Sequence, residues 1–260
     1  MKRGRAVGVI PARLQSTRLP RKLLLEETGR VLLEYAWAAA CRARRLDEVL
    51  VAADCREIVT AVEAFGGRAV LTGEHSSGTD RVAEVVARCC GEATTIVNVQ
   101  GDEPELDPDH IDSLVEALET DPALQMATLA CPIRDRRTLE DPSCVKVVTG
   151  SDGRALYFSR HPIPCVRDGE PDELLAGDSP WLLHVGLYAY RREFLLELTQ
   201  LPPSPLEQLE CLEQLRALQH GAVIGVSVAE HSAVGIDTPD DYARFVARTS
   251  QADGLEGRAA

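Results

Sequence analysis

Several common signatures are missing from this 260-residue sequence, and each absence narrows what it can be. No G-x-x-x-x-G-K-[ST] loop is present, which excludes a Walker-type phosphate cradle. No G-x-G-x-x-G follows a strand-like run, which argues against a dinucleotide-dependent dehydrogenase. The eight cysteines form no C-x-x-C pair and stand at no zinc-finger spacing from histidine. Several, such as Cys131 in MATLACPI, sit within apolar runs, where a thiol acts as a small hydrophobe, so reduced structural cysteines are expected. Positive charge is short overall: 28 Lys and Arg face 41 Asp and Glu, a formal net charge of −13. A phosphate backbone attracts basic stripes, so no nucleic-acid partner is expected. No membrane span is visible. The apolar run behind the basic N-terminus ends at Pro11, too short for the about 7–15 residues of a signal peptide's core, and cytoplasmic residence is the expectation. Internal repeats and low-complexity linkers are also absent.

The residues that are present alternate short apolar runs with amphipathic stretches. Strand-like runs are 6–10, 49–53, 69–71, 95–99 and 126–131; helical patterns cover 31–44, 56–65, 79–90 and 109–119. Strands apolar on both faces, alternating with helices, indicate a mostly parallel, Rossmann-like α/β sheet covered by helices on both faces. The second half changes character. KVVTGSDGRALYFS (146–159) is a hairpin signal around Ser151-Asp152-Gly153, and His184–Tyr190 is a further strand. Ser204-Pro205-Leu206-Glu207 reads as a capped helix start, predicted to run to about Gln219 and stop at Gly221. Thr238-Pro239-Asp240-Asp241 opens a final helix, with a frayed tail expected after Thr249. The expectation is one α/β domain over 1–260 carrying a β-rich insertion at about 145–190.

Against the acidic background one loop stands out. Residues 10–22, IPARLQSTRLPRK, place Arg13, Arg18, Arg21 and Lys22 directly after the first strand. Open parallel sheets bind ligands beyond the carboxyl ends of their strands. Guanidinium forks grip phosphate oxygens in pairs, and a lysine adds a compact charge. Ser16 and Thr17 add hydroxyl donors. A phosphate site held by side chains is the sharper reading and a solvated basic loop the blander one. In either case, the loop's cations are expected to be exposed and to contribute little to stability.

The spacing R-x-x-S-x-R-x-P-x-K (Arg13, Ser16, Arg18, Pro20, Lys22) resembles the signature loop of the nucleotidyltransferases that activate acidic sugars with CTP. Within that group the likeness is to the 3-deoxy-manno-octulosonate (Kdo) cytidylyltransferases, the CMP-Kdo synthetases. HSSGTDR (75–81), VNVQGDEP (97–104), ALYFSR (155–160), HVGLYAYR (184–191), SPLEQLECLEQLR (204–216) and GIDTPDD (235–241) extend it, in order, from about Val7 to Val246. The loop departs from the family in reading RLPRKLL, where many members have Gly at position 21 and Pro at position 23.

The resemblance implies a nucleotide-diphospho-sugar transferase type of fold, and it assigns roles. Arg13, Ser16, Arg18, Lys22, Ser77 and Gly78 are expected to bind the nucleotide. Asp102 and Asp237 are expected to bind Mg²⁺, whose hard-oxygen preference suits carboxylates completed by phosphate and water. Read alone, either aspartate could instead cap a helix, and Ser77-Gly78 could be no more than an N-cap. Glu103 reads as a local hydrogen-bonding residue. Arg160, His184 and Tyr188, the last two sharing strand parity, resemble sugar-binding positions of the family, and the side chains of Gln100, Glu213 and Gln214 are further candidates for the sugar hydroxyls. Taken singly, Arg160 could be a surface cation, His184 a buried ring and Glu213 part of a solvated acidic row. Catalytic roles fall to Arg13, Lys22, Asp102 and Asp237. The implied reaction transfers CMP from CTP to the anomeric hydroxyl of Kdo, releasing pyrophosphate, for lipopolysaccharide biosynthesis, in a homodimer. The rivals are a cytidylyltransferase for an amino-Kdo or sialic acid and a noncatalytic nucleotide-sugar binding protein.

Overall fold

A computed structural model describes residues 3–256. In chain order its strands are β1 (Arg5–Ala12), β2 (Glu48–Ala53), β3 (Arg68–Leu71), β4 (Ala93–Asn98), β5 (Met126–Pro132), β6 (Lys146–Thr149), β7 (Ala155–Ser159), β8 (Leu182–Arg191) and β9 (Ile224–Val228). The longer helices are α1 (Leu32–Arg42), α2 (Arg56–Ala64), α3 (Gly78–Cys89) and α4 (Pro108–Thr120). Shorter ones follow as α5 (Arg136–Glu140), α6 (Asp172–Leu175), α7 (Arg192–Leu198), α8 (Pro205–Glu210) and α9 (Gln214–Gln219), before the closing α10 (Pro239–Glu256). The fold is mixed α/β, with helices flanking an open sheet.

Contacts divide the chain into two units. One comprises Val7–Gly91, Asn98–Pro108 and the chain from Ala233. Here β1 pairs with β2 and β2 with β3, all parallel, as the doubly apolar runs predict. Each helix turns one apolar stripe inward: Ile58, Val59 and Val62 on α2, and Val82, Val85 and Val86 on α3. Leu19 of the basic loop, Leu32, Ile236, Tyr242 and Phe245 form a separate buried cluster. Burying such side chains is worth roughly 1.5–3 kcal/mol each, which anchors both the loop and the segment before α10. Gly101 is favoured by close core packing rather than by an unusual backbone angle. A Cβ there would come within 3.2 Å of Ile10 and Leu33.

The other unit holds Glu92–Val97 and Asp109–Ser232, and its pairing is mostly antiparallel. β5 runs antiparallel to β8 and parallel to β9, while β6 pairs antiparallel with both β7 and β8. The β6–β7 hairpin turns at Gly153, whose φ of 74° suits glycine.

Two helix expectations need correction. The stretch from Ser204 is two helices, not one. Cys211 takes a left-handed conformation (φ 52°), ends α8 and leaves carbonyls that Arg160 collects. The capping box itself is present, with Ser204 Oγ accepting from the Glu207 N–H and Glu207 Oε2 accepting from the Ser204 N–H. Past Thr249 the chain does not fray at once, because α10 continues to Glu256; residues 257–260 lie outside the described residues.

Candidate active site

The basic loop is not a uniformly exposed patch. Leu23 and Lys22 turn inward in a short 3₁₀ turn, and Lys22 is only 8% exposed, which corrects the expectation for this cation. Its Nζ lies 2.6 Å from Asp102 Oδ2 and 2.9 Å from Asp237 Oδ1, so one ammonium bridges both predicted metal carboxylates. Arg18 holds the other Asp237 oxygen at 2.8 Å. Burial pulls the lysine's pKa down, but the two carboxylates outweigh it and raise the pKa above the ordinary value.

Backbone contacts fix the two aspartates. Asp102 follows the end of β4, where the Val99 N–H donates to the Val9 carbonyl. The Ile236 N–H donates to the Asp102 carbonyl at 2.9 Å, which ties the two acidic segments together. Asp241, one turn into α10, accepts from the Asp237 and Thr238 N–H groups and from the Thr238 hydroxyl, while Thr238 Oγ1 accepts from the Asp241 N–H. Asp237 is thereby held by the N-terminal cap of α10. Asp241 was readable from the T-x-x-D spacing as a cap, but not as the residue that orients Asp237. Glu103 makes no side-chain hydrogen bond at Oε2 among the described residues. Burial, helped by the Asp102 charge, pushes its pKa up to about 8.

The rest of the predicted nucleotide set is spread over two loops of this unit. Arg13 is exposed and Ser16 partly buried. Asp54, just past β2, accepts the Leu14 N–H with both carboxylate oxygens at 3.1 Å and secures the loop's start. Arg21 has a left-handed backbone (φ 56°) and pairs its guanidinium with both Glu57 oxygens. Ser77 caps α3, its Oγ accepting from the Asp80 N–H at 3.1 Å, with Gly78 exposed behind it. The turn leading to Ser77 is gripped by one face of α3. Arg81 donates to Thr72 Oγ1 and the Gly73 carbonyl, and Arg88 donates to the Leu71 carbonyl. Glu84 accepts from the Gly73 N–H and contacts His75. The His75 contact, then the Gly73 and Arg88 donors, pull the Glu84 pKa down to about 2. Gln100 is partly buried next to Gly101.

The other unit brings part of the predicted sugar set together. The rings of His184 and Tyr188 stand 5.4 Å apart, and Phe158 packs edge-on against His184 at 4.9 Å. Thr128 Oγ1 is 3.0 Å from His184 Nε2, and 3.2 and 2.9 Å from the Val185 and Leu187 carbonyls that the β5–β8 register shift frees. The hydroxyl's one proton goes to a carbonyl, so it accepts from an Nε2–H imidazole. Loss of hydration drops the His184 pKa to about 3, which keeps the ring neutral. Burial first, then the Glu213 charge, raises the Tyr188 pKa, so its phenol keeps its proton. Gln214 is buried, and its Nε2 has no partner among the described residues. Arg160 is placed differently, on the carbonyls of Glu210, Pro142 and Cys211 at 2.6, 2.9 and 3.3 Å. Thr128 escaped sequence reading; its only signal is a hydroxyl inside the apolar run MATLACPI.

The Asp102–Asp237 pair fits a hard divalent cation. Two carboxylate oxygens already converge on one cation position, and Mg²⁺ commonly takes one or two carboxylates and completes its shell with phosphate and water.

Comparison with known proteins places the chain in a family. A family model described as "Cytidylyltransferase" matches residues 7–224, and the chain belongs to that family of nucleotidyltransferases. Curated relatives narrow the class to its 3-deoxy-manno-octulosonate cytidylyltransferase branch. The chain is 49% identical to the 3-deoxy-manno-octulosonate cytidylyltransferase of Rhodopirellula baltica, covering 92% of this chain and 96% of that protein. It is 45% identical to the one from Solibacter usitatus, covering 96% of each. Among solved structures, CMP:2-keto-3-deoxy-manno-octonic acid synthetase complexed with CTP superposes with a TM-score of 0.88 at 41% identity, covering 96% of this chain and all of that one.

Proposed function

We infer that the protein transfers CMP from CTP to the anomeric hydroxyl of Kdo, with pyrophosphate leaving. The sugar hydroxyl gives up its proton to solvent and its oxygen bonds to the α-phosphorus, as the bond from that phosphorus to the bridging oxygen breaks and pyrophosphate leaves with that oxygen. The observation carrying this reading is the cluster in which Lys22, at the end of the basic loop, meets Asp102 and Asp237, in a chain of this family. Arg13, Arg18 and Lys22 hold the phosphates and offset the charge that builds on the departing pyrophosphate, an electrostatic contribution set before the reaction starts. Ser16, Ser77 and Gly78 complete the nucleotide contacts. Asp102 and Asp237 would hold Mg²⁺, which when bound would neutralise phosphate charge and make the attacking hydroxyl more acidic.

For the sugar, His184 and Tyr188 offer neutral hydrogen-bonding groups, because burial keeps the imidazole uncharged and the phenol protonated. Gln214 brings an unspent amide N–H, and Gln100 and Glu213 take hydroxyls. We assign the sugar carboxylate to Arg160, whose guanidinium also holds the carbonyls of Glu210, Pro142 and Cys211. We further propose that the enzyme works as a cytoplasmic homodimer supplying lipopolysaccharide synthesis. No helix among the described residues is long and apolar enough to cross a membrane, and Leu156 on β7 is an exposed apolar side chain available for pairing.

Pyrophosphate release, measured across CTP, UTP and ATP with Kdo, an amino-Kdo and a sialic acid, tests the reading. Release with CTP and Kdo is expected; nucleotide binding without release would leave a noncatalytic binding protein. A monomer mass by light scattering at micromolar concentration would reject the dimer.

A further inference from the structure

We propose that Lys22 selects the metal–nucleotide pair over free metal, by occupying the metal carboxylates until phosphate draws it away. The inference rests on reading Asp102 and Asp237 as the metal ligands.

The ammonium is a built part of the free site, not a passing surface charge. It is nearly buried, it touches one oxygen of each aspartate at 2.6 and 2.9 Å, and Arg18 covers a second oxygen of Asp237. The turn that carries it is anchored by Leu23, which is buried in the core. A divalent ion arriving alone would have to expel this ammonium and leave it desolvated without its counter-charges, a costly state for a buried cation. The energy gained from two carboxylates is largely offset by that loss. When CTP enters, its phosphates offer the ammonium a replacement anion, so the lysine passes to phosphate as the metal takes the carboxylates. Charge stays matched throughout. Metal and nucleotide therefore raise one another's affinity by the same factor, as linkage requires. Couplings of this kind commonly span about 5-fold to 150-fold.

The test uses Mn²⁺ as probe, followed by the paramagnetic signal of the free ion, with no acceptor sugar present so that CTP is not consumed. Wild type is expected to bind Mn²⁺ weakly alone and roughly tenfold to a hundredfold more tightly with CTP. Lys22→Met is expected to bind Mn²⁺ alone more tightly than wild type by a similar factor, and to lose most of the CTP coupling. Lys22→Met binding free Mn²⁺ no better than wild type would overturn the proposal. The ligand reading fails separately, if Asp102→Asn and Asp237→Asn leave Mn²⁺ affinity in the presence of CTP unchanged. Should Lys22→Met not fold, the ¹⁵Nζ resonance of Lys22 in wild type decides. CTP without metal should shift it and Mg²⁺ alone should not; a shift with Mg²⁺ alone overturns the proposal.

Discussion

Around Lys22, an ammonium and two carboxylates meet at 2.6 and 2.9 Å, and a guanidinium backs one of them. Around His184, an imidazole, a phenol and a threonine hydroxyl meet with no charge among the three, because burial holds the ring and the phenol neutral. The first region keeps its charges and matches them; the second excludes charge and matches hydrogen bonds. The contrast suits their proposed tasks. Phosphates and metal bring charge that must be exchanged partner for partner, whereas sugar hydroxyls need donors and acceptors fixed in direction. It also assigns different penalties. Removing one member of the charged set leaves its partners uncompensated, while removing one member of the neutral set costs mainly packing and a hydrogen bond.

The largest expected effect is at the proposed metal carboxylates. Asp102→Asn, or chelation of metal from wild type by EDTA, should lower kcat by about a thousandfold or more, with activity restored to wild type alone by added Mg²⁺. Full turnover in metal-free buffer would dissolve the distinction between the two regions. Next comes Lys22→Ala. Loss of a charged hydrogen bond worth about 1.5–3 kcal/mol should cut kcat/KM for CTP roughly tenfold to a hundredfold. Because Lys22 is buried between two carboxylates, the thermal midpoint should fall as well, which calorimetry would show.

The neutral region gives a pH signature. His184 has its pKa lowered from 6.5 to about 3. Between those values the unfolded chain binds a proton that the folded protein does not, so stability present above pH 6.5 is lost as pH falls toward 3. One such group contributes a slope of at most about 1.4 kcal/mol per pH unit. His184→Gln should flatten the dependence of the urea midpoint on pH in that window; an unchanged slope would show that the ring is not held neutral by burial. A smaller effect sharpens the role of Arg160. Arg160→Lys should lower the thermal midpoint, because three carbonyl contacts are replaced by fewer, and raise KM for Kdo. A lowered midpoint with unchanged KM would reduce Arg160 to a helix cap. Smallest of all, Arg21→Gly should keep kcat/KM within about twofold, because it removes an exposed ion pair and a left-handed backbone penalty together.

The strands and long helices were legible because their apolar spacing is local. The basic loop, Asp102 and Asp237 were legible as candidates because they stand at strand and helix ends. The bridge formed by Lys22 was not, since its partners lie 80 and 215 positions away and nothing local distinguishes an inward lysine from its exposed neighbours. The break at Cys211 was hidden for a related reason. Helix propensity runs on through 204–219, but a guanidinium about 50 positions upstream takes the carbonyls and makes the interruption affordable. Thr128 was hidden by its company, a hydroxyl in a strand otherwise built for the core.

The bond from the Ile236 N–H to the Asp102 carbonyl has a consequence for how the enzyme comes into being. On the ribosome, β1, the basic loop and Asp102 emerge long before the cap of α10 exists. Until residue 237 is made and docked, Lys22 has one carboxylate to meet instead of two, and the proposed metal pair is incomplete. On the proposed roles of Asp102 and Asp237, catalytic competence is a late event in synthesis, and a nascent chain stalled before α10 should be chemically silent even with its parallel strands already paired.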